Sequence, residues 1–249
     1  MSEQSSIQNT AVLLAAGRGS RMGSGIRKQY MELCRMPLLA YSLKTLTQSR
    51  IISDIVLVIP EGDQKYIEEK IVSRVPGAAD KIRAYVPGGA ERYNSVYDGI
   101  CAITWPCRYI AIHDGARPFL DEQTLERLYA QVQLSGTAVA GMPSKDTVKI
   151  TDAAGIVEDT PDRSRVWIVQ TPQMFDCSLI TKAYTDLFSH MDELREKGIH
   201  ITDDAMVVEE MSGTKVQMVE ASYRNIKVTT PEDLLIGEAF VRNLEMGRS

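Results

Sequence analysis

Short, continuously apolar runs alternate with stretches of helical spacing along the first two thirds of the chain, and this rhythm narrows the possible folds most. "TAVLLAA" (residues 10–16) reads as a buried strand, and "DIVLVIP" (54–60) is continuously apolar after Asp54, as a strand covered on both faces would be. "PLLAYSLKTLTQS" separates them, with Leu38, Leu39, Ser42, Leu43 and Leu46 on one helical face and Pro37 at its start. A helix over 64–72, a strand over 82–86, a helix over 91–103, the strand of "RYIAIHDGARP", a helix over 121–134 and the strand "TAVAGMP" continue the pattern. The expected fold is α/β: a mostly parallel, Rossmann-like sheet with helices on both faces. In such sheets ligands sit beyond the carboxyl ends of the strands, where the loops "GRGSRMGSGIRKQ" and "HDGARP" both leave.

The first of those loops carries Arg18, Arg21, Arg27 and Lys28 in a chain whose formal charge is −5. A general polyanion binder would be basic, so nucleic acid is excluded as a bulk partner. The local cations call instead for a small anionic ligand. The loop is not a P-loop, since Met22 stands where the second glycine belongs and no Lys-Ser/Thr follows. It fails the dinucleotide fingerprint at the same residue, and the acidic Glu61 lies about forty residues on rather than about twenty. Backbone N–H groups of such a loop wrap a polyphosphate well, with Arg21 and Lys28 neutralising its oxygens. Asp114 in "HDGARP" is placed to hold Mg²⁺, whose ligands are commonly one or two carboxylates with phosphate oxygens. His113 beside it reads as a hydrogen-bonded core histidine.

The rhythm breaks at 143–162, "PSKDTVKITDAAGIVEDTPD", where two alternating pieces flank the turn-like "DAAG". This is a projecting β-hairpin arm, too exposed to be stable alone. After "VWIVQTPQMF" come helices over 178–188 and 203–211, strands in "KVQMVE" and "NIKVT", and a last helix with Thr230 as N-cap and Pro231 at its first position. The chain reads as one domain over 1–249, with 143–162 as its projecting arm. Cys34, Cys101, Cys107 and Cys177 have neither C-x-x-C nor zinc-like spacing and read as reduced thiols. No signal peptide and no run of about 18 apolar residues is present, so the expected location is the cytoplasm, away from membranes.

Seven segments in order carry a resemblance: "AAGRGSRM…KQY", "GGAERYNSVYDGI", "HDGARPF", "KDTVK", "DRSRVWIVQTPQMF", "TDDA" and "NIKVTTPEDL". Together they resemble the 2-C-methyl-D-erythritol 4-phosphate cytidylyltransferase family over nearly the whole chain. The resemblance implies formation of CDP-methylerythritol and pyrophosphate from CTP and the polyol phosphate, in non-mevalonate isoprenoid biosynthesis. It implies that Ala15, Ala16, Gly17, Gly89, Ala90 and Ser95 hold the cytidine, and that Arg21, Lys28 and Lys227 surround the triphosphate, with Asp114 on the metal. Arg117, Thr147 and Arg163 would bind the phosphate substrate. It also implies a homodimer whose arms hook around each other and share the two sites. Arg27 departs from the family, which commonly has proline there, and Ala90 replaces a frequent acidic residue. The rival readings are a ribitol-5-phosphate cytidylyltransferase, which shares the loop and "KQ" pattern, and a nucleotide-binding domain without catalysis.

Overall fold

The structure is a computed structural model that describes residues 8–17 and 27–246. The elements follow in chain order as β1 (Asn9–Leu14), β2 (Glu32–Leu33), β3 (Met36–Pro37), α1 (Leu38–Gln48), β4 (Asp54–Ile59), α2 (Gln64–Lys70), α3 (Ala78–Lys81), β5 (Ile82–Pro87) and α4 (Arg92–Cys101). Then come β6 (Tyr109–Asp114), α5 (Glu122–Ser135), β7 (Thr137–Pro143), β8 (Ile150–Thr151), β9 (Val157–Asp159) and β10 (Trp167–Asp176). The chain continues through α6 (Cys177–Ser189), α7 (Met191–Glu196), α8 (Asp204–Ser212), β11 (Met218–Glu220) and α9 (Pro231–Met246).

Seven strands form one sheet in the order β11-β7-β10-β6-β1-β4-β5. The β1, β4, β5 and β6 pairings are parallel, as is β7 with β11, whereas β10 runs antiparallel to both β6 and β7. The mostly parallel reading therefore holds, with one reversed strand inside it. Both faces are covered, because the central strands carry apolar side chains on each side of the sheet. Along β1, Ala11 and Leu13 pack into one core layer with Leu39 and Leu43 of α1 and Leu125 and Leu128 of α5. Val12 points the other way, into a layer with Val96 of α4, Ile180 and Tyr184 of α6 and Val207 of α8. Helix boundaries follow local chemistry: Asp121 accepts from Thr124 N at 2.7 Å to start α5, and Asp203 accepts from Met206 N at 2.9 Å to start α8. Thr230 receives Asp233 N at 3.4 Å while Asp233 accepts from Thr230 N at 2.9 Å, so the expected cap of α9 is reciprocal.

The hairpin is present as the short β8–β9 ladder, with Asp152 turning the chain by accepting from Ala154 N and Ile156 N at 2.9 Å each. "NIKVT" forms no ladder. Its expected strand is replaced by side-chain anchoring: Asn225 Nδ2 donates to Gln170 Oε1 at 3.0 Å and to Thr171 O at 2.8 Å, and Val228 N donates to Ala116 O at 2.9 Å. These bonds hold Lys227 against the end of β6, which a regular strand beside β11 would not do.

Candidate active site

The chain leaves β1 at Leu14, and Ala15 N still donates to Val58 O of β4 at 2.7 Å. Ala15 O is taken by the side-chain amide of Gln29, whose short helical turn, Lys28–Tyr30, closes the glycine loop. Tyr30 Oη donates to Asp63 Oδ2 at 2.8 Å, and Arg27 Nε meets the same oxygen at 3.3 Å. The unusual Arg27 thus ties the loop's return to the segment after β4. After β5 the chain passes so close to β1 that a Cβ on Gly88 would stand 2.1 Å from Ala16 Cβ, so only glycine permits the approach. Ser95 Oγ accepts from Gly89 N at 3.1 Å and donates to Glu91 O at 3.3 Å, which sets the loop at the start of α4.

These segments enclose a pocket of about 550 Å³ beyond the carboxyl ends of β1, β4, β5 and β6. Ala15, Ala16, Gly17, Gly89, Ala90, Ser95, Asp114 and Lys227 all line it. Small residues and backbone form one wall; charge collects at the other. Asp114 Oδ2 is 2.8 Å from Lys227 Nζ and 3.9 Å from Arg117 Nε, while its Oδ1 is 3.3 Å from Arg92 Nε. Burial pushes the Asp114 carboxyl up, but the Arg92, Lys227 and Arg117 charges outweigh it and hold the group well below the usual carboxylate range. Arg117 itself lies behind Asp114, with Nη1 donating to Asn225 O at 2.9 Å.

Sequence reasoning gave no role to Arg92, Tyr184 or Asp204, which complete this charge cluster. Arg92 grips Asp204 with both terminal nitrogens, at 2.8 Å each, and Tyr184 Oη donates to Asp204 Oδ1 at 2.6 Å. Asp204 is fully buried, so Arg92 and Tyr184 are what make its charge tolerable. The signal was the quoted "GGAER" and "TDDA", whose charged residues face one another only after folding. His113 is the core histidine expected: Thr171 Oγ1 donates to Nδ1 at 3.0 Å and Nε2 reaches Arg117 O at 3.3 Å. Burial lowers its pKa to about 4, so the ring is neutral near pH 7.

Thr147 and Arg163 do not line the pocket. They sit exposed at the base of the arm, where Arg163 Nη1 donates to Lys145 O at 3.1 Å and Tyr223 Oη to Pro143 O at 2.8 Å. Arg21 lies outside the described residues, and so does the side chain of Lys28.

Residues 9–243 match the family described as "IspD: 2-C-methyl-D-erythritol 4-phosphate cytidylyltransferase". The chain belongs to this family. Among its cytidylyltransferase relatives, that of Desulforamulus reducens is 41% identical over 93% of this chain and 95% of its own. The relative from Lachnoclostridium phytofermentans is 42% identical over 94% and 96%. A crystal structure titled 4-diphosphocytidyl-2C-methyl-D-erythritol synthase, from Anaerococcus prevotii, superposes with a TM-score of 0.81 at 32% identity, covering 95% of this chain and 96% of that one. The cytidylyltransferase from Francisella tularensis gives a TM-score of 0.73 at 28% identity, covering 93% and 99%. As a member of this family the chain is a nucleotidyltransferase. Among the described residues no helix is long and apolar enough to cross a membrane.

Proposed function

We propose that the protein transfers the cytidylyl group of CTP to 2-C-methyl-D-erythritol 4-phosphate, releasing pyrophosphate. The observation that carries this reading is the single pocket in which the wall of small residues meets the Asp114–Lys227–Arg92 cluster. A pyrimidine edge suits a wall of Ala15, Ala16 and Gly89, where backbone N–H and C=O groups are open to a base. Ala90 contributes through its backbone. The triphosphate then lies toward Lys227 and the loop bearing Arg21 and Lys28. A phosphate oxygen of the polyol phosphate attacks the α-phosphorus in line; the new P–O bond forms as the bond to pyrophosphate breaks. The nucleophile is already an anion, so no base is needed. The two reactants repel each other, and cations held in place before reaction lower the barrier by positioning and charge stabilisation.

A divalent ion such as Mg²⁺ fits this donor set only together with the triphosphate. Among the described residues no three His, Cys, Asp or Glu side chains gather to hold an ion, and Asp114 already faces three cations. Asp114 is the carboxylate that would join phosphate oxygens around it. Bound there, the ion would supply further charge stabilisation at the phosphates.

The contacts to the second substrate come from the arm. Ile150, Ile156 and Val157 are 49%, 67% and 51% exposed on it, an apolar surface that a second copy of the chain would cover. The reading is therefore a homodimer in which Arg163 and Thr147 of one subunit complete the pocket of the other.

Pyrophosphate release from purified protein, Mg²⁺ and CTP with each polyol phosphate in turn tests the reaction. Methylerythritol phosphate should be used well and ribitol 5-phosphate poorly, and ATP should not replace CTP. Lys28→Ala should slow turnover by at least about a hundredfold. Preference for ribitol 5-phosphate would transfer the assignment to the rival enzyme, and CTP binding without turnover on either would make this a non-catalytic domain.

A further inference from the structure

At the opposite edge of the sheet, one strand length from Asp114, a second cleft of about 800 Å³ is lined by Cys101, Cys107 and Cys177 together with Arg108, Thr181 and Lys182. Cys107 precedes β6 and Cys177 opens α6. The two segments are stitched by the β6–β10 ladder, which pairs Tyr109 with Asp176, and by Cys177 N donating to Arg108 O at 2.9 Å. The Cys107 thiol donates to Tyr109 O at 3.3 Å, and the Cys107 and Cys177 side chains are close enough to perturb each other's ionisation. Both are free thiols, half-buried, and both border the open cleft. Nothing in the nucleotide chemistry uses them.

We infer that Cys107 and Cys177 form a thiol-exchange site that takes low-molecular-weight disulfides and closes into an intramolecular disulfide. Cys177 is the attacking sulfur. It opens α6, a helix of 13 residues, with its own N–H held by Arg108 O and the next by the Asp176 carboxylate, so the sulfur is fixed at the mouth of the cleft. The neighbouring Cys107 and Thr181 side chains outweigh burial and the Asp176 charge and lower the Cys177 thiol to about 7. The Cys177 contact and burial push the Cys107 thiol up, so it keeps its proton until its partner has reacted. In the first step the Cys177 thiolate attacks one sulfur of the small disulfide, a new S–S bond forms, and a thiolate leaves to take up a proton. In the second step the Cys107 sulfur loses its proton and attacks Cys177, expelling the other small thiol. The sum consumes one disulfide, yields two small thiols and leaves one protein disulfide.

Glutathione disulfide is the probe. Intact protein is incubated with it, the remaining thiols are alkylated, and the peptides are mapped by mass spectrometry. The expected product is a Cys107–Cys177 cross-linked peptide, with Cys34 alkylated. Cys177 should react about fivefold faster than a thiol of ordinary acidity at neutral pH, the gain in thiolate being partly cancelled by its lower nucleophilicity. Cys107→Ser should trap glutathione on Cys177, whereas Cys177→Ser should leave Cys107 open to alkylation. The proposal is overturned if Cys177 is modified no faster than Cys34, if the mixed disulfide on Cys177 persists in the unsubstituted protein, or if the cross-link joins Cys177 to Cys101.

Discussion

Asp114 is held by its neighbours more than by its own chemistry. Three cations converge on one buried carboxylate, and Asp204 in turn anchors one of them, so Arg92 is shared between two acids. Orientation follows from this: Arg92 cannot swing without stranding the Asp204 charge in the core. His113 continues the same logic through the backbone. Asp114 N donates to Thr171 Oγ1 at 3.0 Å, and that hydroxyl donates to the imidazole, leaving no room for a second ring proton on Nδ1. With its pKa lowered by burial from 6.5 to about 4, the unfolded chain binds more protons than the folded one between those values. Stability therefore rises with pH across that window, and acidification from above 6.5 to about 4 removes on the order of 3 kcal/mol through this residue. Urea unfolding of the parent and His113→Asn at several pH values checks it. The stability gap between them should narrow by that amount as pH falls; a constant gap would mean the imidazole is not held neutral.

Among the elements, α4 is seated closely on the sheet at Gly99. A Cβ on Gly99 would lie 2.6 Å from Val12 Cγ1 and 3.0 Å from Val58 Cγ2, both on fully buried side chains. Contact this close brings the start of α4, with Ser95 and Arg92, over the ends of β1 and β6. Helix propensity favours alanine over glycine by about 1 kcal/mol, but overpacking a filled core costs about 1–3 kcal/mol. Packing should win, and Gly99→Ala should unfold at a lower temperature than the parent by calorimetry. A raised midpoint would show that the valines yield freely. The segment around Lys227 makes the opposite case. Its apolar and β-branched residues read as a strand, yet Asn225 and Val228 spend their hydrogen bonds on β10 and the loop after β6, and Lys227 is left beside Asp114.

For the whole molecule, the proposed function needs the arm to reach a site. Arg163 and Thr147 stand off the lining of their own pocket, and Ile150, Ile156 and Val157 are exposed on the hairpin. In the homodimer we propose, two-fold pairing would cover that surface and bring Arg163 to the partner's site. Inactive Lys28→Ala and Arg163→Ala proteins, unfolded together and refolded as a mixture, test the arrangement. Random pairing makes about half the dimers mixed, and each mixed dimer has one intact site of two, so roughly a quarter of parental activity should return. If each arm served its own subunit, every site would keep a lesion and none would return.

Periodicity, caps and turn chemistry depend on residues a few places apart, and these were written in the chain: the apolar strands, the capping aspartates of α5 and α8, the hairpin turn at Asp152, and the loops that line the pocket. The resemblance carried by seven spaced segments pointed to the family for the same reason, since each segment is local. What the fold alone decided joins residues far apart in sequence. The Arg92–Asp204 clamp spans 112 positions, and Tyr30 meets Asp63 across 33. The placing of β10 between β6 and β7, which sets Cys107 beside Cys177 and Asn225 beside Gln170, is likewise a product of how the layers close. No short window encodes such pairs, because their free energy exists only once the sheet has buried them together and removed the water that would otherwise satisfy each alone.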